Sequence, residues 1–494
     1  MTTLSQIFSS TVELNKDKEA IVYGHYRLTW QELSELVDQH AVHLKAEGVT
    51  CGDTVGLWLA STPFFVINYL AILKLGACVM PLNISLKFAD LLRLKLSLKF
   101  LITSNKFKGA LEEYNKSSII NIQQLIVVND DYQCLKNKPQ SIKPIHIDQE
   151  SNNENLPAVK LFSGGTTGIS KQLIKSHVEC VTELKQSRQS MGFSSSDSIL
   201  CILPLNHAHG MANAFWASIG SGAKLVFLPN ELPIPLQLKN IVNLLKEERV
   251  TVFPAIPFIF DHLAKWPYQE RLPYLRLCFS AGIQLKEATY KLIIEKFNIP
   301  IRQLYGCTEA GAISINMANL SRLNNSSVGK GMKGVTMRIV DERGHQVANN
   351  DLGAIEVKSR TIATQYANGE KLSFVNGWYR TGDMGRLLND GDLIIEGRKE
   401  LMLDVAGYKF FANEVECLIE QYENVVEAAI TQDTNNINTI GIKAYVVVEK
   451  VINERFLSEF CKNNLPSYKC PQEIEVVETL PKNSMGKLQR HLLG

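Results

Sequence analysis

Residues 161–172, LFSGGTTGISKQ, have the composition expected of a site that binds a polyphosphate. The glycines let the backbone direct several N–H groups toward one point, and the hydroxyl groups add further donors. Lys171 supplies a mobile positive charge. The spacing is not that of a Walker loop, because Ile169 stands five residues after Gly164, where that loop needs glycine. Taken alone, the segment favours a flexible Ser/Gly turn over a phosphate site. The phosphate-binding candidates are Ser163, Gly165, Thr166, Thr167, Gly168 and Lys171.

A second group of candidate residues lies in the segment YGCTE. Tyr305 offers a flat ring on which a purine can stack, and Thr308 offers a hydroxyl for an α-phosphate. Glu309 is a hard oxygen ligand of the kind that suits Mg²⁺, which commonly takes one or two carboxylates and completes its coordination with phosphates and water. We predict Glu309, with Thr166 of the glycine-rich loop, as the metal ligands.

Three residues nearer the C-terminus complete a nucleotide site in principle. Asp383, in the segment TGD, can accept hydrogen bonds from both ribose hydroxyls, and Arg398 can donate to the same sugar. Lys487, next to Gly486, is suited to a phosphoryl-group reaction, because an ammonium about 4 Å from a charged oxygen contributes about 4 kcal/mol at an effective dielectric of 20. By position alone, Lys487 would be an exposed tail lysine, and the other two would be surface salt-bridge residues.

The composition indicates a globular protein of several domains. The chain has 494 residues, 45% of them hydrophobic and 21% charged. A net charge of +2 without dominant basic patches argues against nucleic acid or an anionic membrane as the main partner. Ten cysteines without a CxxC pair or a zinc-like Cys/His spacing predict reduced thiols and a cytoplasmic location.

One apolar stretch, residues 55–82, could be mistaken for a membrane span because Lys74 is its only charged residue. It is interrupted by helix signals: Thr62 can cap a helix, Pro63 suits the first helical position, and Gly76 can end it. We therefore predict a strand, a helix and a parallel strand, and no transmembrane segment.

The alternation of strand-like and helical patterns in the remaining chain predicts an α/β fold. Apolar runs of strand length at 198–205, 223–229, 250–257 and 275–282 alternate with helical patterns, which indicates a second parallel-type sheet. From about residue 329, short strands and turns predict a small β-rich subdomain. Beyond residue 398, a Glu-rich helix, two strands, a helix and a strand predict a compact α+β module.

Seven segments in order resemble the ANL superfamily of adenylating enzymes, which comprises acyl-CoA synthetases, adenylation domains of peptide synthetases and firefly-type luciferases. They are the glycine-rich loop, PLNHAHG at 204–210, SAGIQL at 280–285, YGCTE at 305–309, WYRTGDMG at 378–385, GRKELMLDVAGYKFFANEVE at 397–416 and LPKNSMGKLQR at 480–490. The resemblance covers the chain from about residue 15 to the end.

The resemblance implies roles for named residues. It implies Lys487, Thr308, Glu309 and His207 as catalytic residues, His207 lining or gating the carboxylate pocket. It implies ATP or AMP contacts by Ala281, Gly282, Ile283, Tyr305, Gly306, Cys307, Asp383 and Arg398. It implies an acid pocket that draws on His207, Asn213, Ala281 and Cys307, a mixture of small and polar groups.

The resemblance also implies two domains that reorient between half-reactions. The AMP-binding domain would comprise residues 1–397 and the mobile C-terminal domain residues 398–494, with a hinge near Lys399. Gly407 and Tyr408 would lie beside the pantetheine arm of the thiol substrate. Departures from the usual pattern at Gly164, Gln172, Cys307 and Asp404 affect the acceptor more than the adenylation step.

The expected activity is that of an acid–CoA ligase. A small carboxylic acid and ATP, with Mg²⁺, would give acyl-AMP and pyrophosphate, and a thiol would then give a thioester and AMP. CoA is the expected thiol, and the phosphopantetheine of a carrier protein is the alternative. A non-catalytic nucleotide- or acyl-binding protein is a third interpretation, and the chain is expected to be a monomer or a homodimer.

Overall fold

The computed structural model describes residues 2–86, 94, 96–130, 153–162, 171–229, 232–319, 323–405, 408–433, 441–482 and 488–493. These residues form two compact units. The first takes its described residues from 2–336 and 358–379, and the second takes its own from 337–357 and 380–493. The prediction that residues 398–494 move as one domain relative to residues 1–397 is a separate one, and it stays a prediction.

The first unit contains a six-stranded sheet and most of the helices. Its strands are β3 Thr54–Trp58, β4 Cys78–Pro81, β5 Ser97–Ser104, β6 Asn121–Val128, β7 Pro157–Phe162 and β8 Gln172–Ser176, in the order β6-β5-β3-β4-β7-β8. The pairs are parallel except β7 with β8. The helices are α1 Leu4–Asn15, α2 Trp30–Ala46, α3 Pro63–Lys74, α4 Asn105–Lys116 and α5 His177–Met191.

The predicted strand–helix–strand unit is present at the centre of this sheet. Strands β3 and β4 pair in parallel, with Val55 opposite Val79, and α3 connects them. Pro63 occupies the first turn of α3. Helix α2 begins after Thr29, whose side chain accepts from the backbone N–H of Glu32 in a capping box. None of the helices formed by the described residues is both long and apolar enough to cross a membrane.

The second sheet of the first unit carries most of the candidate site. Its strands, in spatial order, are β2 Tyr26–Thr29, β1 Glu19–Tyr23, β10 Lys224–Phe227, β9 Ser198–Cys201, β11 Val252–Ala255, β12 Leu277–Ser280, β13 Ile301–Cys307, β14 Gly311–Ile315 and β15 Ser327–Gly331. Strands β1, β10, β9, β11, β12 and β13 are parallel to their neighbours in this run. A core that includes Trp30, Phe65 and Phe279 fills the interior of the unit.

Helices also connect the strands of the second sheet. They are α6 Ala208–Gly210, a π-helical segment Met211–Trp216, α7 Ala217–Ser221, α8 Leu238–Glu247, α9 Pro257–Ala264 and α10 Glu287–Phe297, with a 3₁₀ turn Ile234–Leu236. The short strand β18 Phe374–Val375 pairs with the start of the strand β19 Trp378–Leu387.

The second unit combines the β-rich part with the C-terminal α+β module. The β-rich part orders β16 Thr336–Val340, β17 Gly353–Lys358, β19 and β20 Leu393–Arg398. The module contains the hairpin β21 Met402–Val405 and β22 Tyr408–Phe411, and the sheet β23 Val425–Asp433, β24 Gly441–Val448 and β25 Glu473–Val476. Its helices are α11 Ala412–Ile419 and α12 Glu454–Asn464, with 3₁₀ turns Lys399–Leu401, Ser467–Lys469 and Arg490–Leu492.

Candidate adenylate site

Apart from Lys171, which directly precedes β8, the described candidate residues of the first unit lie at or beyond the carboxyl ends of the parallel strands β9, β12 and β13, beside the end of β11. In open α/β sheets this edge is where ligands bind. The backbone N–H of Ala281 donates to the carbonyl of Ala255 at 3.3 Å, which holds the segment after β12 against the end of β11. Gly282 follows with φ of +101°, a conformation that favours glycine. Ile283 is exposed.

The turn between β13 and β14 carries Thr308 and Glu309. Tyr305 is 7% exposed, and a bulge separates its pairing from that of Gly306. A Cβ atom on Gly306 would lie 2.4 Å from the carbonyl oxygen of Gly311, so a side chain there would force the two strands apart. This close approach explains why a glycine precedes Cys307.

Two residues outside the hairpin hold the backbone of this turn. Thr361 Oγ1 donates to the carbonyl of Ala310 at 2.7 Å, and the N–H of Ala363 donates to the carbonyl of Glu309 at 3.0 Å. The hydroxyl of Tyr366 lies 3.5 Å from Glu309 Oε1. Burial, reinforced by the Glu309 carboxylate, raises the pKa of Tyr366 to about 12, so the hydroxyl keeps its proton and donates.

A single carboxylate beside a hydroxyl-bearing residue is a donor set that fits Mg²⁺ shared with phosphates. In the described part of the chain, no cluster of three or more His, Cys, Asp or Glu side chains forms a metal site. Glu309 stays the predicted ligand for a Mg²⁺ ion shared with the nucleotide.

A buried ion pair lies behind the same turn, and sequence reasoning did not identify it. Lys175 Nζ is 2.9 Å from Glu183 Oε2, and the lysine side chain is only 3% exposed. Burial is the largest single influence and lowers the pKa of Lys175, but the charge of Glu183, the hydrogen bond to it and the nearby Cys180 together raise the pKa, so the ammonium stays charged. A Cβ atom on Gly311 would lie 2.4 Å from Glu183 Cδ. The carboxylate therefore packs directly against the turn. The only sequence signal was a lysine within an otherwise strand-like segment.

The histidine loop follows β9 and meets the same edge. His209 Nε2 is 3.0 Å from the carbonyl of Ala255, and its Nδ1 is 2.8 Å from Asn213 Nδ2. Because a carbonyl can only accept, Nε2 carries the proton and Nδ1 accepts from the Asn213 amide. Asn213 is 3% exposed, and its Oδ1 has no hydrogen-bond partner among the described residues. Asn213 lies in the π-helical segment, a distortion frequent at functional sites.

His207, the predicted pocket residue, is partly buried beside His209. Burial, with a smaller contribution from His209, lowers the pKa of His207 to about 4. Burial likewise lowers the pKa of His209 to about 4, against a smaller effect of the bond to Ala255. Both rings are therefore neutral at physiological pH, so neither supplies a positive charge to a carboxylate.

These histidines predict a pH dependence of stability. His177, His207 and His209 each have a pKa near 4 in the folded chain and near 6.5 when unfolded. Between these values the unfolded chain binds more protons, so the free energy of unfolding should fall as pH falls from 6.5 to 4, by up to about 4 kcal/mol per pH unit if all three contribute about 1.4 each. Urea unfolding at several pH values measures the slope. His209→Gln should flatten it, and an equal slope in that variant would contradict the assignment.

The second unit brings the two ribose candidates together. Asp383 and Arg398 are opposite each other on β19 and β20, with Arg398 Nε 2.7 Å from Asp383 Oδ1. Asp383 is buried, and its backbone N–H donates to Thr381 Oγ1 at 3.1 Å. The pair thus presents a carboxylate held in place by a guanidinium, as expected of a group that accepts from a diol.

The hinge and thiol candidates also belong to this unit. Lys399 begins the 3₁₀ turn directly after β20, and its role as a hinge stays a prediction. Tyr408 is exposed and stacks on Tyr468, with ring centroids 4.4 Å apart and planes at 14°. Several predicted site residues lie outside the described part of the chain: Ser163, Gly165, Thr166, Thr167, Gly168, Gly407 and Lys487.

Comparison with known proteins decides the family. Residues 8–367 match the model of the AMP-binding enzyme family, and residues 414–487 match that of the AMP-binding enzyme C-terminal domain. The chain belongs to the AMP-binding enzyme family. A 2-succinylbenzoate–CoA ligase of Bacillus licheniformis is 27% identical over 490 residues, which cover 97% of each chain. An oxalate–CoA ligase of Arabidopsis thaliana is 27% identical over 515 residues, covering 100% of this chain and 98% of the relative.

Solved structures of a related AMP-binding enzyme agree with this assignment. The o-succinylbenzoate CoA synthetase of Bacillus subtilis, in complex with its acyl-adenylate intermediate, is 25% identical with a TM-score of 0.86. The alignment covers 100% of this chain and 98% of that structure. The same synthetase has been solved with ATP and a magnesium ion, at a TM-score of 0.86 and 25% identity over 99% of this chain and 98% of that structure.

These comparisons confirm the predicted superfamily and α/β fold class. They also confirm the prediction of an acid–CoA ligase that uses ATP, Mg²⁺ and CoA. The individual site residues, the domain boundary, the oligomeric state and the acceptor alternative stay predictions.

Proposed function

We propose that this AMP-binding enzyme activates a small, functionalised carboxylic acid and transfers it to CoA, with the acid bound beside His207 and Asn213. The supporting observation is the shared hydrogen-bond acceptor at the carboxyl edge of the second sheet. The carbonyl of Ala255 accepts from both His209 and Ala281, which ties the candidate acid loop to the candidate nucleotide loop.

The first step joins the acid to the nucleotide. A carboxylate oxygen attacks the α-phosphorus of ATP, the bond to the bridging oxygen breaks, and pyrophosphate leaves with that electron pair. Thr308 and Lys487 stabilise the negative charge of the transferring group, and Mg²⁺ held by Glu309 would neutralise charge on the leaving phosphates. Such a step depends mainly on positioning and electrostatics.

The second step releases the activated acid. A thiol sulfur attacks the acyl carbon, the thiol proton is lost to solvent, and AMP leaves with the electrons of the acyl–oxygen bond. Tyr408 is proposed to lie along the path of the pantetheine arm. Its exposed ring, held flat against Tyr468, provides an apolar surface for such an arm.

The chemistry of the acid pocket supports an acid that carries a polar donor. Asn213 Oδ1 is buried without a hydrogen-bond partner among the described residues, and an unpaired buried acceptor costs on the order of 1–3 kcal/mol. A hydroxyl or amino group on the acid would pair with it. The neutral His207 ring nearby favours hydrogen bonding over ion pairing with the acid.

Pyrophosphate release in a panel of acids tests this proposal. Hydroxy- or amino-substituted acids should react faster than unsubstituted acids of the same length, and Asn213→Leu should remove the difference. Preformed acyl-AMP is then supplied with CoA or with a holo-carrier protein. Thioester formation with CoA is expected. If acyl-AMP reacted with the holo-carrier protein and not with CoA, the carrier would be the acceptor instead. No acid-dependent pyrophosphate release with any acid would contradict the proposed function.

Replacing Gly407 tests the path of the thiol. Gly407→Phe should leave acid-dependent pyrophosphate exchange near the wild-type rate, because the first step does not involve the thiol. Thioester formation from acyl-AMP should fall by about 100-fold or more, since misplacement of a reacting group by about 1 Å can cost that much. Single-turnover kinetics separate the two steps, and an equal loss of both would reject the assignment.

A further inference from the structure

A tight turn between Tyr366 and Glu370 lies beside the start of strand β8. The N–H of Tyr366 donates to the carbonyl of Glu370 at 2.8 Å, and the N–H of Gly369 donates to the carbonyl of Tyr366 at 3.0 Å. Gly369 has φ of +82°, as such a turn requires. The N–H of Ala367 donates to the carbonyl of Gln172 at 2.7 Å. The turn is therefore attached by a backbone hydrogen bond to Gln172, the residue that follows Lys171.

This turn places a carboxylate on the candidate phosphate-binding lysine. Lys171 Nζ is 2.8 Å from Glu370 Oε1 and 3.0 Å from Oε2, and it lies 5.0 Å from the centroid of the Tyr366 ring. The backbone N–H of Glu370 donates to Asn368 Oδ1 at 3.0 Å. The hydrogen bond from Lys171, followed by the contribution of Asn368, lowers the pKa of Glu370, so it is ionised at neutral pH.

A carboxylate and a phosphate cannot both occupy the same side of one ammonium without repelling each other. A phosphate that binds Lys171 must displace Glu370 or accept a like charge at close range. Exposed ion pairs of this kind are weak, and both side chains are about half exposed, so a polyanion can displace the carboxylate. The backbone attachment keeps Glu370 within reach of Lys171, so the ion pair competes with the phosphate for the ammonium.

We propose that Glu370 is an internal counter-ion that competes with the ATP phosphates for Lys171 and thereby weakens nucleotide binding. This inference rests on the proposed function, in which Lys171 binds ATP. Glu370 acts through Lys171 and is a positioning residue. By limiting affinity for the polyphosphate, it also speeds the departure of pyrophosphate after the first step.

Glu370→Gln is the decisive variant, because it keeps the shape of the side chain and removes its charge. Calorimetric titration with ATP and Mg²⁺, without acid, should give a dissociation constant roughly two- to tenfold lower than that of the wild type. Tighter binding is not a result that misfolding produces. Glu287→Gln is the matched control, since it removes the same charge from the exposed Lys291–Glu287 pair of α10 and should leave the constant unchanged.

A double-mutant cycle identifies the path of the effect. Lys171→Gln should weaken ATP binding, and Glu370→Gln should have no further effect in that background. Steady-state kinetics should show a lower KM for ATP in Glu370→Gln without a higher kcat. An unchanged or higher dissociation constant for ATP in Glu370→Gln would overturn the proposal that Glu370 competes with the phosphates for Lys171. If Lys171→Gln bound ATP as tightly as the wild type, the proposed role of Lys171 itself would fail.

Discussion

Lys487→Ala should reduce acid-dependent pyrophosphate exchange about a thousandfold, because an ammonium near the transferring group contributes about 4 kcal/mol at an effective dielectric of 20. The effect should fall on the rate of the first step and only weakly on the KM for the acid. Exchange of labelled pyrophosphate into ATP, measured with saturating acid, is the direct assay.

Lys482→Ala is a matched control from the same C-terminal segment. Lys482 pairs with Glu427, and both side chains are about one-third exposed, so its removal should change the exchange rate by less than about twofold. If Lys487→Ala left the exchange rate unchanged, Lys487 would not be catalytic, and the resemblance in LPKNSMGKLQR would not extend to its role. A similar loss in both variants would indicate a structural effect of the segment.

Glu356→Ala should destabilise the second unit by about 3–5 kcal/mol, the usual cost of removing one member of a buried ion pair. The Glu356 side chain is fully buried. Its Oε2 accepts from Arg338 at 2.9 and 2.7 Å, and its Oε1 accepts from Arg380 at 2.8 Å. Alanine would remove the carboxylate that the two guanidinium groups share. Denaturant unfolding monitored by circular dichroism measures the change in the free energy of unfolding.

Glu342→Ala provides the contrast within the same unit. Glu342 lies 3.9 Å from Lys409 and is 85% exposed, so its removal should change the unfolding free energy by less than about 0.5 kcal/mol.

Because Arg380 and Asp383 share strand β19, Glu356→Ala should also weaken ATP binding. Wild-type stability in Glu356→Ala would show that the two arginines find other partners.

Local signals were sufficient to predict much of the fold. Pro63 starts α3, and Thr29 with Glu32 caps α2, because these preferences act over three or four residues. Thr62 occupies the N-cap position of α3 as expected, but its side chain makes no capping hydrogen bond. The parallel strands were predictable because apolar runs of strand length alternate with helices. The candidate site was predictable only where short motifs follow such strands, as in YGCTE after the apolar part of β13.

The side-chain pairs that support the site could not be predicted from the sequence. Lys171 and Glu370 are 199 positions apart, and nothing local in either segment identifies its partner. Lys175 and Glu183 are only 8 positions apart, but they belong to a strand and the following helix. Their meeting therefore depends on how α5 packs on β8. Pairing of this kind is decided by tertiary packing, which periodicity does not encode.

The attachment at Ala255 has a consequence for redesign of substrate range. Since a main-chain oxygen makes the connection to His209 and Ala281, it persists whatever side chain stands at position 255. The acid preference can therefore be diversified at His207, while Asn213 is kept because its amide donates to His209 Nδ1 and helps hold that ring against the Ala255 carbonyl. A library at His207 would explore new acids while the hydrogen bonds that join His209 and Ala281 to the Ala255 carbonyl are retained.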